Sequence, residues 1–191
     1  QKAGKDMYIA DLHIHSRYSR ATSKECTPEH LDLWARKKGI HLLGTGDFIT
    51  GVAAVLEEKL TAAEEGLYRL RDEFRLKDGS ATERFAPRFV ISGEISSIYK
   101  KNGKVRKVHS LILLPSLEDA EILSRRLEAI GNIHSDGRPI LGLDCHDLLA
   151  ITLDACPEAI YVPAHIWTPH FSLFGAFSGF DTIEECYITK D

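Results

Sequence analysis

Along the chain, apolar positions switch between alternating and three-to-four spacing, and the switches mark out the elements. Residues 8–15 read as a first strand. Thr27-Pro28-Glu29 opens a helix, with Thr27 as N-cap, Pro28 at the first helical position and Gly39 just past the end. Residues 40–45 form a second strand. From Val52 onward, Val55, Leu56, Leu60, Ala63, Leu67, Leu70 and Phe74 recur at threes and fours, predicting one long amphipathic helix or two joined near Gly66. Residues 88–97 and 105–114 are strands joined through Asn102-Gly103, the strongest short hairpin signal. Ser116 with Asp119 caps a helix that runs to Ile130 and stops at Gly131. Asp144 or Asp147 caps another, 159–164 is a strand, and Asp181 with Glu184 starts a last short element. Strands alternating with helices predict an α/β architecture with a largely parallel sheet. The polar residues His15, Asp47, Glu94 and His165 fall just after strand ends, where a parallel barrel carries its sites. The expected fold is therefore a distorted α/β barrel.

Composition narrows the class. The 191 residues, 43% hydrophobic and 27% charged, suit one soluble domain with its own core. No apolar run approaches the ~20 residues that cross a bilayer, and the N-terminus lacks a signal-peptide pattern. The expectation is a cytoplasmic protein with no membrane partner. A net charge of −4 argues against nucleic-acid binding by the whole surface and leaves room for a local basic patch. Cys26, Cys145, Cys156 and Cys186 are widely spread, form no C-x-x-C, and read as reduced thiols. Starting at Gln1 and stopping at Asp191 without a polar tail, the chain reads as a fragment of a longer protein.

The chemistry concentrates at strand ends. In Asp11-Leu12-His13-Ile14-His15-Ser16, an extended backbone would turn His13 and His15 to one face, ~6–7 Å apart, where they can share one metal ion or serve two. Asp47 follows the second strand in Gly44-Thr45-Gly46-Asp47, Glu94 follows Ser92-Gly93, His109 lies in the fourth strand, and His165 follows Pro163-Ala164. Imidazoles with carboxylates suit zinc, manganese or iron, and a carboxylate such as Glu94 can bridge two ions. Paired ions stabilise attacking and leaving oxygens in phosphoester hydrolysis and lower the pKa of bound water. A single strand-end histidine is more often structural, but six groups placed alike point to a shared metal site.

This ordered set, Asp-Leu-His-Ile-His-Ser, then Gly-Thr-Gly-Asp, Gly-Glu, a strand histidine and Ala-His, resembles the polymerase-and-histidinol-phosphatase (PHP) superfamily. The resemblance implies a distorted seven-stranded (β/α) barrel, a (β/α)7 fold, with two or three divalent ions (zinc, manganese or magnesium) that hydrolyses phosphoesters. By position it makes His13, His15, Glu94, His109 and His165 metal ligands. The family usually has Thr-Asp-His after the second strand, and Asp47 stands in the last place here; it is carried as a ligand and, with Glu94, as a catalytic carboxylate. The family's closing Asp-x-His pair has no match before Asp191, so residues 1–191 read as the N-terminal part of one PHP-type domain, with the rest of the barrel and later domains outside the chain. Such a fragment is expected to bind metal incompletely and to catalyse poorly.

Ser16 to Ala21, Gly142-Leu143-Asp144, the run from Val162 to Pro169, Phe171 to Gly175 and Gly179-Phe180-Asp181 resemble the endonuclease Q branch more closely. That resemblance implies a repair nuclease cutting DNA 5′ to deaminated bases or abasic sites, with DNA as partner and a replication clamp as a possible partner of the full-length protein. The alternatives are a small-molecule phosphatase of the histidinol-phosphatase kind and a non-catalytic module of a larger replication or repair protein. Arg17 and Arg20, just after the histidines, are candidate phosphate contacts. The hairpin from Lys100 to Lys107, with Lys101 and Lys104, is either a solubilising tip or a grip on the DNA backbone. Trp167 and Phe171 belong to a glycine-broken aromatic segment that either packs the barrel mouth or receives an unstacked base. Asp144 either caps its helix or lines the base pocket. Cys145 has no evident base partner.

Overall fold

The computed structural model describes residues 7–20, 22–49 and 51–188; Ala21, which closes the Ser16 motif, and the terminal 189–191 lie outside them. The elements are β1 (Ala10–Asp11), α1 (Pro28–Lys38), β2 (Leu42–Gly44), α2 (Val52–Lys59), β3 (Leu60–Glu64), β4 (Leu67–Leu70), β5 (Arg88–Lys101), β6 (Lys104–Leu114), α3 (Leu117–Glu128), β7 (Ile140–Leu141), α4 (Cys145–Ala155), β8 (Ile160–Pro163) and α5 (Ile183–Tyr187).

The local signals act where expected. Thr27 accepts from the His30 N–H with Pro28 opening α1, Ser116 accepts from the Asp119 N–H at α3, and Asp144 accepts from the His146 N–H at α4. The last short helix is capped by Thr182 and not by Asp181. Asn102 and Gly103 both take positive φ, 53° and 69°, the two-residue turn whose twist matches a hairpin. It zips β5 to β6 from Ile91↔Leu114 to Lys101↔Lys104, the longest ladder of the molecule.

That turn also corrects the expectation of a largely parallel sheet, since a two-residue connection can only join antiparallel strands. The sheet is mixed. β1/β2, β2/β5 and β5/β7 are parallel, whereas β3/β4, β4/β5, β5/β6 and β6/β8 are antiparallel. Among the described residues it curls into a half-barrel of eight strands with helices packed on it, and these strands do not close as a (β/α)7 barrel. β7, only two residues long, carries no periodicity that the sequence could reveal.

The long helix expected over 52–74 is also corrected. Helix α2 stops at Lys59, and the chain then makes the hairpin β3/β4, which joins the sheet through Tyr68↔Phe89. Leu56, Leu60 and Leu70 are all buried, so the apolar residues reach the core as intended, but two of them do so from strands. A three-to-four spacing of isolated leucines fits both geometries, and sheet pairing decided between them.

The main core lies between the sheet and α1–α4, built on Phe48, Leu56, Phe89, Ile91, Ile95, Ile112, Leu123 and Leu148. Each such side chain contributes about 1.5–3 kcal/mol by leaving water. A smaller cluster, Val108, Cys145, Leu173, Phe180 and Cys186, seats the 165–180 segment against β6 and α4. Together the two cores hold β5, β6 and the loops after β1 and β8 around one polar point.

Candidate metal centre

That point is Glu94, on β5. Its face also carries Ser92 and Ser96, while Ile91 and Ile95 face the main core. The Glu94 carboxylate is 1% exposed and faces four imidazoles: His13 Nε2 at 3.0 Å and His109 Nδ1 at 3.1 Å from Oε1, His165 Nε2 at 3.5 Å from Oε1, and His15 Nε2 at 3.4 Å from Oε2. His13 and His15 lie beyond the end of β1, not within a strand, so strand alternation is not what unites them. The loop turns them instead, with ring centres 5.7 Å apart.

Two sets of donor atoms lie close enough together to hold an ion each: His13, His15 and Glu94, and Glu94, His109 and His165. Glu94 belongs to both. Two further observations show that these residues fit cations. Glu94 Oε1 and His109 Nδ1 are buried without any hydrogen bond, a costly condition that a cation would relieve. His165 Nδ1 lies 2.9 Å from Thr168 Oγ1, whose own hydrogen is drawn to the carbonyls of His165 or His170. Nδ1 therefore donates, and the Nε2 lone pair is left facing Glu94. Burial lowers the pKa of His165, which keeps that lone pair free. His165 holds φ at 32°, and backbone bonds from Ala164 N–H to the His109 carbonyl and from His109 N–H to the Phe171 carbonyl pin both ends of its loop.

The carboxylate charge is fixed by the same neighbours. Burial alone would raise the Glu94 pKa, but the imidazoles of His109, His13 and His15 outweigh it and hold the group well below the usual carboxylate range. His15 is pushed up to about 9 from an ordinary 6.5, by Asp47 first and Glu94 second, against burial. Its contribution to the stability of the metal-free protein is thus complete below about pH 6.5 and is lost as pH rises through about 9. The melting temperature of metal-free protein should fall across that window, and His15→Gln should flatten the fall. An unchanged slope in the variant would remove His15 as its source.

Asp47 is placed differently from the expectation. It is fully buried and belongs to neither donor set. Oδ2 accepts from the Ser16 N–H at 3.0 Å and from the Ser16 hydroxyl, and Oδ1 accepts from Ser19 Oγ at 2.8 Å, leaving His15 Nδ1 at 3.9 Å. Both oxygens are thus engaged in holding the loop that carries His15, a positioning role that the sequence reading of Asp47 as ligand and catalytic carboxylate did not include. Ser16 and Ser19 were legible as part of a motif, but their role was not.

The candidate substrate contacts divide. Arg17 and Arg20 are exposed beside the histidine loop, Arg20 pairing with Asp136 at 3.7 Å. Trp167 is 78% exposed and stacks on Phe174, whereas Phe171 is half-buried against the His109 ring, 4.6 Å away. Asp144 caps α4 and binds Lys101 Nζ at 3.0 Å, so capping is its observed role. Lys101 is buried and also donates to the Cys186 carbonyl, which corrects its reading as part of an exposed grip; Lys104, at the turn, is exposed. Lys101→Met should therefore cost about 1–3 kcal/mol in urea denaturation, and Lys104→Met under about 0.5. Equal effects would contradict the buried pair.

Sequence reasoning missed Arg138, whose Nη1 lies 3.4 Å from Glu94 Oε2. It sits in a loop before a two-residue strand, where neither periodicity nor a motif draws attention to it.

No family model matches the chain. Among curated proteins it is similar to the uncharacterized protein MJ0043 of Methanocaldococcus jannaschii, 31% identical over 83% of this chain and 16% of the relative. It is also similar to the uncharacterized protein YqxK of Bacillus subtilis, 30% identical over 87% of this chain and 42% of the relative. The chain thus spans less than half of either. Among solved structures, it is similar to the lesion-specific endonuclease PfuEndoQ from Pyrococcus furiosus, with TM-score 0.74 and 26% identity over 95% of this chain and 40% of that one. A complex of endonuclease Q with a 27-mer duplex carrying an abasic lesion at its active site gives TM-score 0.72, 25% identity and the same coverage.

Proposed function

We propose that this chain is the N-terminal part of a PHP-type, metal-dependent phosphodiesterase domain of the endonuclease Q kind, acting on DNA with deaminated bases or abasic sites. The observation that carries the reading is the pair of donor sets meeting at Glu94, on a fold similar over 95% of this chain to a lesion-specific endonuclease. His13, His15 and Glu94 would hold one divalent ion and Glu94, His109 and His165 a second. Bound there, such ions supply Lewis acidity toward a phosphate oxygen and toward water.

The protein's own residues do the rest. Thr168 fixes the His165 tautomer, Asp47 fixes the His15 loop through Ser16 and Ser19, and Glu94 brings its negative charge to both donor sets. Exposed Arg17 and Arg20 follow His15 closely in the chain and offer donors to a phosphate backbone. Exposed Trp167, on the loop that carries His165, offers a face on which an unstacked base can lie. The outer strands β1 and β8 each pair on one side only among the described residues, and Ile160 on β8 is 58% exposed. Further strands of a longer polypeptide would continue the sheet there and extend the domain. No described helix is long and apolar enough to cross a membrane.

The test uses the longest polypeptide that carries this chain, supplied with Mn²⁺, Mg²⁺ or Zn²⁺ and labelled duplexes containing one uracil, one hypoxanthine or one abasic site. A cut on the 5′ side of the lesion, lost in His13→Ala, is the expected result. Intact lesion DNA alongside hydrolysis of a small phosphomonoester would keep the metal centre and overturn the DNA assignment.

A further inference from the structure

Arg138 is the only lysine or arginine among the described residues whose cation lies within 4 Å of Glu94. Its placement is built by the surrounding backbone. Asp136 Oδ1 accepts from the Arg138 N–H and from the Arg20 N–H, each at 3.1 Å, so one carboxylate ties the Arg138 loop to the histidine loop. Gly137 N–H donates to the Tyr18 carbonyl at 2.9 Å. Gly137 also packs so closely that a Cβ there would lie 2.7 Å from Asp47 Cγ and from Ser19 N, a separation no side chain tolerates. The segment is thus locked against the two residues that hold His15, and it delivers one guanidinium to the rim of the centre.

That guanidinium is only loosely held by protein groups. Its single hydrogen bond among the described residues, Nη1 to Glu94 Oε2, is long at 3.4 Å and leaves the other donors of the fork unused. The side chain is 35% exposed, so it is not a packed core group. Divalent ions held by the two donor sets that share Glu94 would take up the carboxylate charge, and the guanidinium would then face like charge at short range. An anion then becomes its better partner. A planar fork of N–H donors matches two oxygens of a phosphate, which an ammonium cannot do.

We propose that Arg138 is a phosphate-binding residue of this centre, contacting non-bridging oxygens of the substrate phosphate, with Asp136 and Gly137 as its positioning residues. The inference rests on the metal-dependent phosphoesterase reading above. It assigns to the β7-side loop a direct role in substrate recognition, separate from the metal ligands.

The experiment compares wild type, Arg138→Ala and Arg138→Lys. Each is loaded with Mn²⁺, bound metal is counted by elemental analysis, and inorganic phosphate is then titrated in by calorimetry. Equal metal content in all three is expected, with phosphate affinity lowered about ten- to hundred-fold in Arg138→Ala and less in Arg138→Lys. Phosphate affinity equal to wild type in either folded, metal-replete variant would overturn the proposal. So would a loss of metal in Arg138→Ala, since the arginine would then be a prop for the ligands. Should the alanine variant not fold, Arg138→Lys decides by the same readout. A wild-type protein that takes up no metal sinks the metal-centre reading and this inference together, and the metal count tells that failure from failure of Arg138 alone.

Discussion

Glu94→Gln is expected to disable both halves of the proposed metal centre at once. The substitution keeps the size of the side chain but removes the charge that His13, His15, His109 and His165 all face within 3.0–3.5 Å. Loss of an outer-shell partner alone typically costs 10–100-fold in metal affinity, so loss of a shared ligand should cost at least about a hundred-fold for each ion. His13→Ala and His165→Ala should behave differently from Glu94→Gln and from each other, because His13 belongs to one donor set and His165 to the other. Equilibrium dialysis with Mn²⁺ or Zn²⁺ distinguishes these patterns. If Glu94→Gln kept one full equivalent of metal, the two sets would not share Glu94.

Asp47→Ala is expected to unfold the histidine loop rather than to strip one metal ligand. Asp47 is 0% exposed, and its two oxygens accept from Ser16 N–H, the Ser16 hydroxyl and the Ser19 hydroxyl. Truncation leaves three buried donors without their side-chain acceptor, which costs about 2–5 kcal/mol. Chemical denaturation should show that loss, and Asp47→Asn should recover part of it by keeping one acceptor. The fraction of Asp47→Ala that remains folded should still bind metal through Glu94 and the histidines. Wild-type stability with a lost equivalent of metal would identify Asp47 as a ligand instead.

The contrast between Glu94 and Asp47 shows where sequence reasoning reaches. Both carboxylates follow a glycine-containing run at the end of an apolar strand, and both read as ligands. Their difference lies in what surrounds them. The oxygens of Asp47 are taken up by Ser16 and Ser19, residues 31 and 28 positions away, and no local pattern announces such a contact. Histidines were legible because imidazole is scarce and its recurrence at strand ends is conspicuous. Arginine is common on surfaces, so Arg138 in a loop was not.

The fold divides along the same line. Caps and turns are local chemistry, so Thr27, Ser116 and Asn102-Gly103 were readable one residue at a time. The segment from Leu60 to Leu70 was not, because its leucines satisfy a helix and a hairpin alike until β5 offers an edge to pair with. Sheet direction also depends on which strands meet. The antiparallel β5/β6 ladder followed from the turn, whereas the parallel pairing of β7 with β5 and the antiparallel pairing of β8 with β6 required the assembled sheet. Lys101 belongs here too. Its position in a basic run suggested solvent, and the packing of α4 and α5 over the hairpin buried it.

The most direct test of a paired metal centre around Glu94 is an anomalous difference map from crystals of the Mn²⁺-loaded protein. Two peaks are predicted on either side of the Glu94 carboxylate, one beside His13 and His15 and one beside His109 and His165. A map with no peak at Glu94, or with metal bound only elsewhere on the protein, would contradict the account.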